Sequence, residues 1–101
     1  MTVKETANTL QEIELLLESF KVKYAIIAKK YREELVKLSS DDPSNNQAIL
    51  SDIKQKMLAG MGSLNDVWIS KDNGHDVEDE ISANKELERL RNKLRKNLEN
   101  Y

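Results

Sequence analysis

The side chains best suited to chemistry lie between residues 63 and 80. His75 is the sole histidine of the chain, and there is no cysteine. Ser63, His75 and Asp66 can be written as a nucleophile, a base and an orienting acid, but small sequences nearly always contain these letters. His75 also lies in a polar, acidic turn rather than on an apolar wall. We therefore predict that no residue is catalytic and that the protein is not an enzyme.

Metal and phosphate chemistry are predicted to be absent as well. Four ligand-type side chains share one segment, namely Asp72, His75, Asp76 and Asp79. Their spacing is not that of a calcium loop, and a solvated turn followed by a helix N-cap explains them. Gly60 and Gly62 follow a predicted helix rather than a strand, and no Lys-Ser or Lys-Thr pair completes a phosphate loop. We expect no metal and no cofactor.

The helical pattern of the sequence stops at residues 60–66. Gly60 follows an apolar-periodic run, as a left-handed residue at a helix C-terminus would, and Gly62 permits a second positive φ. The short side chains nearby bond to backbone N–H groups and stabilise compact turns. The predicted structural turn residues are Gly60, Gly62, Ser63, Asn65 and Asp66. After them, residues 67–69 form a short apolar run that we interpret as an extended strap.

Apolar residues recur every three or four positions from Val3 to Leu38, as on one face of a helix. A single helix of this length would measure about 50 Å, which is longer than a domain of this size is usually wide. The weakest helix formers lie between Ser19 and Lys23. We therefore predict two helices that meet there, with one unbroken or kinked helix as the alternative.

Two further helices are predicted. The polar residues 39–45, which include the only proline, indicate a loop. A third helix begins near Asn45 or Asn46 and ends before Gly60, and a fourth runs from about Glu78 to Asn97 with Ile81, Leu87, Leu90, Leu94 and Leu98 facing inward. The predicted fold is one all-α domain over residues 1–101, a four-helix bundle with a Gly-rich turn and short strap between helices three and four.

Charge is distributed unevenly along the chain. Residues 41–80 carry three basic and nine acidic side chains, whereas residues 81–101 carry six basic and three acidic ones. An acidic surface speeds the capture of a basic partner and binds nucleic acid poorly. We expect the basic residues of the last helix, including Arg91, Lys93, Arg95 and Lys96, to face solvent and match the helix dipole. No apolar run approaches the ~20 residues that span a bilayer, so we expect a cytoplasmic protein.

Residues 60–66, which read Gly-Met-Gly-Ser-Leu-Asn-Asp, resemble the Gly-Met-Gly-Ser-(Leu/Phe)-Asn-Asp motif of a family of small bacterial proteins. That family resembles the immunity proteins of contact-dependent inhibition and polymorphic-toxin systems. The resemblance implies a helical protein that neutralises a cognate toxin, expected to be a nuclease, by covering its active site or substrate channel. It implies a protein partner. The acidic charge and the short apolar runs lead us to expect neither a nucleic-acid nor a membrane partner.

We predict two kinds of partner-binding residue. The acidic residues Asp72, Asp76, Glu78, Asp79 and Glu80 are candidates for charge steering, and Trp68 is the candidate aromatic anchor, with core packing as its alternative. A competing hypothesis is a helical homo-oligomerisation or adaptor module, for example a homodimer, in which the apolar stripe of residues 3–38 pairs with a second copy.

Overall fold

A computed structural model describes residues 3–38, 46–59 and 62–99 of the chain. These ranges contain four α-helices and no strand, and together they form an all-α domain as predicted. The helices are α1 (Val3–Ser19), α2 (Ala25–Val36), α3 (Gln47–Leu58) and α4 (Glu80–Asn97). Two short 3-10 turns, Leu64–Asp66 and Lys71–Asn73, lie between α3 and α4. The predicted loop at 39–45 and the predicted helix stop at Gly60 lie outside the described residues.

The first two helices are separate, because the chain reverses through residues 20–24. The Val22 N–H donates to the Leu17 carbonyl oxygen at 2.9 Å, and the Lys21 N–H donates to that of Glu18 at 3.0 Å. This pair of bonds is the Schellman arrangement, which terminates many helices. Lys21 has a φ of +58°, in the left-handed region where glycine is usual. The predicted break is confirmed, although no glycine marks it.

α1 packs against α2 and against α4. Arg32 of α2 donates to both carboxylate oxygens of Glu14, at 2.6 and 3.4 Å. The Asn97 amide of α4 donates to the Thr9 hydroxyl at 2.6 Å, and Lys93 lies 3.0 Å from Glu12. Since later residues of α1 meet earlier residues of α4, these two helices run antiparallel.

The core is built from the apolar faces of all four helices. The largest fully buried side chains are Leu10, Ile13, Leu17, Leu50, Ile53, Met57, Leu64, Ile69, Leu87, Leu90, Leu94 and Leu98. The prediction that Ile81 faces the core is wrong, because this side chain is 70% exposed. It lies in the first turn of α4, and the buried face of that helix begins at Ala83 and Asn84.

α3 joins the hairpin of α1 and α2 partly through a polar contact. The Tyr31 hydroxyl of α2 donates to Asp52 Oδ2 of α3 at 3.1 Å. Burial, together with the Asp52 carboxylate, raises the pKa of Tyr31 to about 12, because both disfavour the phenolate. Within the described ranges, no helix is both long and apolar enough to cross a membrane.

Candidate functional site

The turn after α3 is closed by its own side chains. Gly62 has a φ of +78°, and its N–H donates to Asp66 Oδ2 at 2.6 Å. Ser63 precedes the 3-10 turn in an extended conformation, and its hydroxyl oxygen accepts from the Asn65 N–H at 3.3 Å. Ser63 and Asp66 are therefore engaged within the turn, and neither hydrogen-bonds to His75.

This turn is also fastened to both neighbouring helices. The Asn65 amide donates to the Leu58 carbonyl oxygen at the end of α3, at 2.9 Å, and its oxygen accepts from the Arg95 guanidinium of α4. Arg91 donates to the Leu64 carbonyl oxygen at 3.3 Å. Arg95 is exposed as expected, although it also bonds to the turn, whereas Arg91 is only partly exposed, so the expectation that Arg91 faces solvent is wrong. The second half of α4 lies alongside the turn, whose oxygens accept from these side chains.

In the structure the strap extends by one residue and comprises residues 67–70. The buried side-chain amide of Asn84 holds its residue Ile69. The Ile69 N–H donates to Asn84 Oδ1, and Asn84 Nδ2 donates to the Ile69 carbonyl oxygen, both at 2.9 Å. The same Nδ2 donates to the Glu80 carbonyl oxygen at 2.8 Å. Asn84 thus satisfies both backbone groups of Ile69, as an adjacent strand would. Sequence reasoning missed Asn84, although a polar residue three positions before Leu87 on a buried stripe is an informative signal.

The loop after the strap is a network in which His75 is structural. The His75 Nδ1 atom accepts a hydrogen bond from the Ser70 N–H at 3.1 Å. Asn73 donates to the Trp68 carbonyl oxygen at 2.9 Å, and Gly74 closes the loop with a φ of +83°. Within the described residues, no group of three histidine or acidic side chains is placed to hold a metal ion.

Trp68 points away from the core and is 58% exposed. The alternative in which it packs inside is therefore wrong. Successive side chains of an extended segment point to opposite sides, and Ile69 takes the inward position. Trp68 forms a ridge between two clefts. The first, of about 560 Å³, is also lined by Lys21, Lys23, Tyr24, Asp66, Asn73 and His75. The second, of about 450 Å³, is also lined by Ile81, Lys85, Leu87, Glu88 and Arg91.

The five predicted acidic residues fall into two groups. Asp79 accepts from the Ser82 N–H at 3.0 Å as the N-cap of α4, and Glu80 accepts from the Lys71 N–H at 3.3 Å. Asp72, Asp76 and Glu78 are exposed, and their carboxylates bond to nothing in the part of the chain that the structure describes. The residues lining the two clefts include none of the five. None of the five acids therefore lines a cleft beside Trp68, although the Asp76 N–H donates to the Phe20 carbonyl oxygen next to the first cleft.

The folded domain thus presents one exposed aromatic residue on a strap that its own side chains fix. Compared with known proteins, the chain matches no family model, no curated protein and no solved structure.

Proposed function

We propose that this chain is a protein-binding domain that neutralises a bacterial toxin. The observation that supports this most is Trp68, a large aromatic side chain that is 58% exposed on a fixed strap. Tryptophan is enriched among the residues that dominate interface energies. A fixed backbone also reduces the ordering cost of binding. The hydrogen bonds from Asn84, Asn73 and His75 supply that preorganisation before any partner arrives.

The choice of a toxin as the partner follows from the resemblance of residues 60–66 to the immunity-type motif. A nuclease is the toxin class that we propose, because a nuclease needs positive charge to bind phosphates. The exposed carboxylates of Asp72, Asp76 and Glu78 suit such a surface. They act at a distance from Trp68, since exposed charges interact over ~8 Å at physiological ionic strength. In this proposal the acids steer the encounter and Trp68 anchors the complex.

The steering role is tested by measuring association with the product of the gene directly upstream. The variant carries Asp72→Asn, Asp76→Asn and Glu78→Gln, while Asp79 and Glu80 stay because they bond to the backbone. We expect slower association at low salt, with the difference from wild type narrowing as salt is raised. The matched control, Glu33→Gln with Glu34→Gln and Glu99→Gln, removes the same charge elsewhere and should associate faster than the test variant.

Two results would count against the proposal, once circular dichroism shows that the variants are folded. If the upstream product does not bind the wild-type protein, the immunity function is wrong. If the test variant and its control associate equally fast at every salt concentration, the acids have no steering role.

Homo-oligomerisation is the second candidate function. Most of the stripe that it needed is buried between α1, α2 and α4, but Leu15, Ile26 and Val36 are each more than half exposed on α1 and α2. Light scattering on the isolated protein tests it. A dimer that Leu15→Asp or Ile26→Asp converts to a monomer would favour this function, and a monomer at all concentrations would oppose it.

A further inference from the structure

The first cleft beside Trp68 is basic, although the chain as a whole is acidic. Lys21 and Lys23 line it from the turn between α1 and α2, and Asp66 lines it from the turn after α3. The Asp66 carboxylate accepts a hydrogen bond from the Gly62 N–H, whereas both lysines are exposed. Neither lysine side chain has a hydrogen bond or an ion pair within the described ranges. Two ammonium groups are therefore available to a ligand at this rim.

The second cleft continues this pattern on the other side of the ridge. Lys85 and Arg91 line it, and Glu88 is its acidic member. Across both clefts, Trp68 is accompanied by four basic and two acidic side chains. The free acids Asp72, Asp76 and Glu78 lie outside both clefts. Basic side chains therefore outnumber acidic ones at the clefts beside Trp68, although the Asp76 N–H donates to the carbonyl oxygen of Phe20, next to Lys21.

Lys21 occupies its place at the rim against its backbone preference. Its φ of +58° is left-handed, a conformation in which a side chain with a Cβ is strained and glycine is not. Residues in strained backbone conformations cluster at functional sites, where the function of the side chain outweighs the cost of the strain. The lysine keeps a positive charge beside Trp68 that a glycine would not provide.

We propose that the cleft of Lys21 and Lys23 takes a carboxylate of the partner protein, next to an apolar group that packs on Trp68. The identity of that partner rests on the proposed function. Nucleases that use metal ions hold them with clustered carboxylates inside a basic substrate groove. A nuclease surface of this kind is acidic at its centre and basic around it. The lysines beside Trp68 complement the clustered carboxylates at the centre of such a surface.

Collisional quenching tests the basic surround without any partner. Trp68 is the only tryptophan, so its fluorescence reports this one place. The quenching constants of iodide and caesium are measured at fixed ionic strength, and each is divided by the quenching constant of neutral acrylamide for the same protein. The ratio of the two scaled constants, iodide over caesium, reports the local charge. We expect iodide to quench better than caesium, and the ratio to fall by roughly twofold in the double variant Lys21→Gln with Lys23→Gln. The control Lys29→Gln with Lys37→Gln, on the outer side of α2, should keep the wild-type ratio. An equal ratio in all three proteins would overturn the inference.

The partner's carboxylate is tested with the product of the upstream gene. We expect Lys21→Glu with Lys23→Glu to dissociate on the order of tenfold faster than Lys29→Glu with Lys37→Glu, which carries the same charge change. If the wild-type protein binds and both double variants dissociate alike, the carboxylate contact is wrong and the proposed function stands. If the wild-type protein does not bind, the function fails, and with it the nuclease carboxylate as occupant.

Discussion

Different interactions stabilise two regions of the molecule. Apolar burial dominates where α1 packs against α4, and hydrogen bonds dominate at the strap. In these two helices Leu10, Ile13 and Leu94 are fully buried members of one apolar core, and polar contacts such as Asn97–Thr9 lie beside them. The strap buries Ile69 but is held in place by hydrogen bonds from side chains to backbone, chiefly those of Asn84 and His75. The helical part therefore depends mainly on apolar burial, whereas the position of the strap depends on a few hydrogen bonds between side chains and backbone.

The difference between a helix and an extended segment explains why Trp68 lies on the strap. A helix face is buried or exposed over several turns at a time. In the extended strap Trp68 and Ile69 point to opposite sides, so Trp68 faces out directly beside the buried Ile69. The molecule thus combines an apolar helical core with a strap that is held separately and exposes Trp68.

The largest effect is expected in the helical part. Leu10→Ala removes a fully buried side chain of α1 and should lower the free energy of unfolding by about 3–5 kcal/mol, through lost burial and a cavity. Urea titration measures this change. Leu15→Ala is the control on the same helix, because Leu15 is 57% exposed and should cost no more than about 0.5 kcal/mol. If both variants lost the same free energy of unfolding, the buried apolar face of α1 would not be what stabilises the helical part.

A smaller effect is expected in the strap. Asn84→Ala leaves the Ile69 N–H and carbonyl oxygen without their partner and should cost about 2–3 kcal/mol. Asn84→Asp keeps an acceptor for the Ile69 N–H but loses the donor, so it separates the two contributions. Hydrogen exchange of the Ile69 amide should quicken more in the alanine variant than in the aspartate variant. Unchanged exchange in both would mean that Asn84 does not fix the strap.

Alkaline pH should weaken the contact between α2 and α3. The pKa of Tyr31 is raised to about 12 in the folded protein from an ordinary value of 10. A raised pKa stabilises the folded state below pH 10, and that stability is lost as the pH rises from about 10 to about 12. By pH 11 the loss should reach about 1 kcal/mol for this residue. Urea titrations at pH 9 and pH 11 measure it, and Tyr31→Phe should show a smaller change between the two. Burial also raises the pKa of Tyr24 to about 12, so some dependence should persist in that variant.

The smallest expected effect is a gain. Lys21→Gly relieves the left-handed strain but adds freedom to the unfolded chain, for a net stabilisation of about 0.5 kcal/mol. Thermal unfolding measures the change. Lys23→Gly, two residues further along the same turn, has no positive φ to relieve and should give no gain. A loss in both variants would show that the Lys21 backbone is not strained.

The helical part was predictable from the sequence because its information is periodic. The spacing from Val3 onward predicted a buried stripe on α1, and the weak helix formers near Ser19 predicted where the helix ends. The left-handed residue that makes the turn was not predictable, because Lys21 carries no backbone signature. Ile81 was misassigned because periodicity gives a helix face but not the level at which that face becomes buried.

The candidate site was less accessible to sequence reasoning. Trp68 was predicted as an anchor, but the alternation that turns it outward depends on Ile69 being fixed by Asn84, fifteen residues away. The five acids formed one set in the sequence, yet Asp79 and Glu80 bond to the backbone and the other three do not. The basic surround of Trp68 could not be predicted, because Lys21 and Arg91 reach it from distant elements.

The central claim is that the fixed strap presents Trp68 to a protein partner, and one pair of measurements tests it. The dissociation constant for the upstream product and the thermal midpoint are measured for Trp68→Ala, with Ile26→Ala as a control at a residue 70% exposed on α2. We expect Trp68→Ala to weaken binding by about 30-fold or more, as an interface anchor does, while its thermal midpoint stays with that of the control. Equal affinity of the two variants for the upstream product would contradict the claim.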